Sequence, residues 1–177
     1  MKKHLIFAAV AASLMAIATC GPNRDKEVAQ IQALEDSIFH SSNMMLDTTM
    51  GNQLVDLYTQ FADNHPDDPA TPGYLFNAAD ISCNLCHYTQ SCDLLNRIIN
   101  NYDTVSNLGD CYFALAQAYE GNSDYEKAKE TYKLFIDLFP DHPLAADTRT
   151  MLEGNLIGLS PEEMLNRILE QGDNQAI

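Results

Sequence analysis

Positive charge is scarce in this chain of 177 residues: 10 lysines and arginines stand against 25 aspartates and glutamates. That balance argues against nucleic acid as a partner, because such binding is driven by neutralising phosphates with Lys and Arg. It also leaves no basic patch for anionic lipid. A glycine-rich loop to cradle phosphate is missing, and so is a nucleophile–base–acid set. Ser91 and Ser160 have packing or turn explanations, and the five histidines are scattered. The pair Glu162/Glu163 reads as first-turn residues favouring a helix N-terminus. No segment alternates apolar and polar residues as a strand would. What remains is a non-catalytic, all-helical chain.

The one long uncharged apolar run lies at the N-terminus, Leu5 to Thr19, behind Met1-Lys2-Lys3 and before Cys20. Two lysines, a short apolar stretch and small residues before a cut site describe a secretory signal peptide, too short to span a membrane comfortably. Its end, Ile17-Ala18-Thr19-Cys20, resembles the lipobox of bacterial lipoproteins, with Thr19 departing from the usual Gly or Ala. That resemblance implies removal of residues 1–19, lipidation of Cys20 and a short tether over 20–23. Loss of Lys2 and Lys3 leaves 8 basic against 25 acidic residues, a balance of −17. Membrane attachment would then rest on acyl chains alone. The 157 residues after Cys20 suffice for one domain with a modest core.

Periodicity organises those residues. Tyr112, Leu115, Ala116 and Tyr119 fall at i, i+3, i+4 and i+7, one apolar stripe of a helix. Gly121 to Asp124 break it, and Tyr125, Ala128, Tyr132, Phe135, Ile136 and Phe139 form the stripe of a second helix, ended by Pro140. Thirty-seven residues earlier, Tyr88, Ser91, Leu95, Ile98 and Tyr102 occupy the matching places, and thirty-seven before that Leu54, Tyr58, Phe61 and Pro66 do so. Helices are expected over 24–40, 50–64, 72–86, 89–102, 107–121, 124–138 and 142–155. Ser160-Pro161-Glu162-Glu163 announces another with a capping box. The repeat domain spans 24–171, with a frayed tail over 172–177. Helix pairs this short cannot bury their own apolar faces, so neighbours must stack.

The unit at 109–142 resembles the tetratricopeptide repeat at Tyr112, Leu115, Ala116, Tyr119, Ala128, Tyr132 and Pro140. Phe135 departs from it, being large where the family has a small residue. The copy before it departs with Ser91 for Ala and Asp103 for Pro. The resemblance implies an all-α tetratricopeptide-repeat solenoid of about eight helices that binds a protein or peptide partner and carries no cofactor. With its Phe139-Pro-Asp-His-Pro143 closing, the whole is similar to envelope tetratricopeptide lipoproteins of Gram-negative bacteria, most of all short ones of the Bacteroidetes. This implies an adaptor lipid-anchored to the cell envelope, in the outer membrane facing the periplasm. An alternative role is β-barrel assembly in the outer membrane, or envelope coordination of the Tol–Pal kind. In such proteins the first helix of each pair lines a groove. On 72–86 the face away from Leu75, Ala78, Ala79 and Ser82 carries Phe76, Asp80, Cys83 and Asn84; on 107–121 Phe113, Gln117 and Glu120 fall at the same offsets. Aromatic anchors among polar groups suit such a groove.

Cys83-Asn84-Leu85-Cys86-His87 matches the C-x-x-C-H signature of c-type haem attachment. Met44, Met45 or Met50 could complete an axial pair. Cys83, Cys86, His87 and Cys92 are also close enough in sequence to be considered as zinc ligands. Against both, Cys86 and His87 fall at turn positions of the repeat, and a stacked solenoid offers no evident haem pocket. The remaining readings are free thiols, or a disulfide between Cys83 and Cys92, which lie equidistant from the turn. Cys111 is one helix further on.

Overall fold

In the computed structural model, residues 23–39 and 47–174 are described. They form eight α-helices and, among the described residues, no strand: α1 (Arg24–Phe39), α2 (Thr48–Asn64), α3 (Thr71–Asn84), α4 (Tyr88–Asn101), α5 (Leu108–Gly121), α6 (Tyr125–Leu138), α7 (Ala145–Glu153) and α8 (Pro161–Asn174). The expected signal peptide, Cys20, Met44 and Met45 lie outside the described residues. From α1 to α7 each helix packs on the next, and α3 also packs on α5. That second-neighbour contact joins the first helices of successive pairs and makes the stack a solenoid.

The 37-residue period is written into the backbone. The helices that close three successive pairs end at His65, Tyr102 and Phe139, with φ of −133°, −136° and −128° and ψ of 59°, 57° and 59°. The first helices α3, α5 and α7 are each followed by a residue at positive φ: Cys86 at 61°, Ser123 at 62° one period on, and Asn155 at 51°, where the spacing shortens to 32 residues. At each of these ends the following amide reaches back across the last turn, from His87 to Ser82 O (2.8 Å), from Asp124 to Tyr119 O (2.8 Å) and from Leu156 to Met151 O (3.0 Å). These are Schellman ends, which satisfy carbonyls that the helix leaves unpaired.

The expected buried stripes are buried. Leu75, Ala78, Ala79 and Ser82 on α3, and Ala128, Tyr132 and Phe135 on α6, are shielded from solvent. Leu54, Tyr58, Phe61, Leu95, Ile98 and Leu115 join Leu75, Ala78 and Ala79 in one core cluster, and Ala128 and Tyr132 belong to a second with Ala116 and Ile157. Three details differ from expectation. Helix α7 starts at Ala145, because Ala145 N–H bonds to His142 O (2.9 Å) in a turn that uses the residues before it. Helix α8 continues through Gly172 to Asn174, into the expected tail. Tyr125 heads its stripe but is exposed. The capping box of α8 forms as expected: Glu163 N–H donates to Ser160 Oγ (3.3 Å), and Ser160 N–H to Glu163 Oε2 (2.8 Å).

A tyrosine at the start of α4 and of α6 locks one pair to the next. The Tyr88 ring lies so close to Gly121 that a Cβ there would stand 2.4 Å from it, and Tyr125 lies likewise on Gly158, at 2.8 Å. Both contacts span 33 residues and are 37 apart. Gly121→Ala is therefore expected to destabilise by about 1–3 kcal/mol through overpacking, although alanine favours a helix by ~1 kcal/mol over glycine. Urea unfolding measures it, and the penalty should vanish when Tyr88→Ala is also present. A gain in stability from Gly121→Ala alone would mean that the ring does not sit there.

Candidate functional site

Helices α3 and α5 lie side by side and carry the candidate groove residues. On α3, Phe76 is half-buried against the core, while Asp80 and Asn84 are exposed and joined by a bond from Asn84 Nδ2 to Asp80 Oδ2 (3.3 Å). On α5, Gln117 is exposed and Phe113 half-buried. Phe113 is held by its own pair: its ring meets Tyr132 at 5.6 Å and Phe135 at 5.5 Å, both edge-on. Glu120 is engaged along the joint between pairs. One carboxylate oxygen accepts from Gly158 N–H (3.0 Å) and the other from Tyr132 OH (3.3 Å). Burial, followed by the nearby Glu120 charge, raises the Tyr132 phenol above its ordinary pKa.

Sequence periodicity missed a cleft of about 460 Å³ at the N-terminal end of the stack. Leu54 and Tyr58 of α2 contribute to its lining, Glu35 and Ile38 come from α1, and Asn77 and Ile81 from α3. Tyr58 OH donates to Glu35 Oε1 (2.5 Å). The cleft arises because α1 and α3 both pack on α2 and not on each other. No motif marks it, since its lining comes from three helices.

The cysteines fall in two environments. Cys86 is exposed and Cys83 half-buried at the α3–α4 turn; Cys92 on α4 and Cys111 on α5 are buried, and all four thiols are free. Burial pushes the Cys92 thiol up to about 11 and the Cys111 thiol up to about 12. Such thiols stay protonated near neutral pH and make poor nucleophiles and metal ligands. His87 is exposed at the start of α4. Among the described residues no three His, Cys, Asp or Glu side chains converge as a group able to hold a metal. Cys83, Cys86, His87 and Cys92 therefore do not assemble the set that their spacing suggested.

Two helices with a tight turn, repeated at a fixed period and stacked first helix on first helix, constrain the family strongly. Residues 110–142 match the tetratricopeptide repeat family. The match covers α5, α6 and their closing turn, the pair with the clearest apolar pattern. A search of curated proteins finds no match to this chain. The fold is a tetratricopeptide-type helical solenoid, with eight helices among the described residues. Tetratricopeptide repeats generally mediate protein–protein interaction, and in this stack α3 and α5 are neighbouring first helices.

Proposed function

We propose that this tetratricopeptide protein is a non-catalytic adaptor of the cell envelope, anchored by lipid at Cys20, that grips a protein or peptide partner on the face shared by α3 and α5. The packing of α3 on α5 carries this reading: these neighbouring first helices bear Phe76 and Phe113 at a 37-residue offset, with Asp80, Asn84 and Gln117 exposed. Aromatic anchors amid groups able to pair a backbone are what a peptide groove needs. Glu120 contributes by holding the joint behind that face. The apolar run before Cys20 supports export, and its lipobox-like end supports a lipid anchor; the anchor we propose lies in the outer membrane and faces the periplasm. The excess of acid over base favours a protein partner over nucleic acid.

Phe76 separates partner binding from folding better than Phe113, whose ring is built into the aromatic core of its own pair. Phe76→Ala with Gln117→Ala should weaken capture of the partner in a crosslinking pull-down from intact envelopes at least tenfold. Its melting temperature should stay within a few degrees of wild type. Unchanged capture, or a melted domain, would contradict the groove. Cys20→Ala should abolish lipid labelling and move the protein from the detergent phase to the aqueous phase.

A further inference from the structure

The joint between the third and the last helix pair is braced by Glu120, which receives Gly158 N–H while Tyr125 covers Gly158. One period earlier the residue at the place of Glu120 is Cys83, that of Ser123 is Cys86, that of Tyr125 is Tyr88, and that of Gly158 is Gly121. At the earlier joint a tyrosine again covers a glycine, and two thiols stand where Glu120 and Ser123 stand one period later. Cys86 N–H bonds to Cys83 O at 2.9 Å, closing a four-residue turn at the end of α3. Such a turn holds its end Cα atoms within about 7 Å, inside the span a disulfide bridges. Tyr88 donates its hydroxyl to Cys86 Sγ at 3.4 Å while its ring covers Gly121 of the next pair. The Cys86 thiol therefore touches the residue that locks the two pairs together.

We infer that Cys83 and Cys86 are a disulfide-forming pair whose oxidation fastens the α3–α4 turn and stiffens the joint between the second and third helix pairs. The oxidant is a small-molecule or protein disulfide. The exposed Cys86 thiolate attacks it, releasing one thiol and leaving a mixed disulfide at Cys86. The Cys83 thiolate then attacks Cys86 Sγ and expels the second thiol. The two protein thiols lose two electrons and two protons, and the oxidant is reduced to two thiols that carry those protons. Burial raises the Cys83 thiol above its ordinary range, so the second step should quicken as pH rises. Cys92 and Cys111, buried on α4 and α5, take no part.

The test equilibrates the full-length protein with oxidised and reduced glutathione, alkylates the remaining thiols, and cleaves after Tyr88 to separate Cys92 from the pair. The expected product is one peptide carrying both Cys83 and Cys86 unalkylated and two hydrogens lighter. The melting temperature should rise by roughly 3–8 °C, as closure of a short loop predicts. Cys86→Ser should remove both effects, and it should fold, because serine occupies the same left-handed position at Ser123. Cys92→Ser should leave both intact. A Cys83–Cys92 link, or Cys83 and Cys86 both still free in oxidising buffer, would overturn the pairing. A bond at the right cysteines with no change in melting temperature would overturn its role as a brace.

Discussion

Phe135→Ala is expected to cost about 3–5 kcal/mol, the usual range for emptying a buried phenylalanine site. Phe135 is fully buried and is the hub of an aromatic cluster: its ring lies 5.5 Å from Phe113, 6.4 Å from Phe139 and 5.0 Å edge-on from His142. The cluster reaches α5 at Gly109, where a Cβ would stand 3.0 Å from His142 and 3.3 Å from Phe139. With so many rings sharing one centre, the cavity left by alanine cannot close by moving a single neighbour. A domain of this size holds roughly 5–15 kcal/mol in all, so a large share of the margin disappears. At roughly 2–4 °C per kcal/mol, melting followed by circular dichroism should fall by about 6–20 °C. A fall of only a degree or two would show that Phe135 is not the centre of this cluster.

The second large effect is the opposite kind of error. Ala128 is fully buried where α6 packs on α5, and with Ala116, also fully buried, it forms one cluster that includes Tyr132. Both alanines keep this region small, and the interior around them is packed at crystal-like density. Ala128→Leu adds three carbons with nowhere to go and should destabilise by about 1–3 kcal/mol in urea, with the m-value unchanged. Ala128→Gly is the control. It relieves rather than adds volume and should lose only ~1 kcal/mol, through helix propensity. If leucine proved no worse than glycine, Ala128 would not lie at the crossing and the register of α6 would be wrong.

Helix existence and buried faces were legible in the sequence because both depend on short-range periodicity. A stripe at i, i+3, i+4 and i+7 has one stable disposition in a stacked helix pair, and Ala78, Ala79, Leu95 and Tyr132 are accordingly buried. The start of α7 was less legible, because the turn at His142 competes with the helix for Pro143 and Leu144. The site was only partly legible. Spacing alone puts Phe76 and Phe113 at equivalent places, yet it does not report that Phe113 packs on Tyr132 and Phe135, or that Glu120 receives Gly158 N–H. The recurrence of Tyr88 and Tyr125 with Gly121 and Gly158 at one offset was a readable signal. Its meaning, a ring seated on a residue with no side chain, needed coordinates.

The sequence by itself determined a stack of short amphipathic helix pairs with a 37-residue period, their buried stripes, the capping box at Ser160 and the excess of acidic charge. Each follows from local spacing or composition, which no fold can alter. Only the tertiary structure decided which polar residues are engaged and which are offered. Asp80 and Gln117 are exposed while Glu120 is drawn into a joint, although Gln117 and Glu120 sit one helical turn apart on α5. It also decided the fate of the cysteines, keeping Cys83 and Cys86 together at a turn while burying Cys92 and Cys111 in separate helices. The reason is common to both. Whether a polar group or thiol finds a partner depends on what the neighbouring helix pair brings within about 3 Å, and helix packing, not sequence spacing, sets that distance.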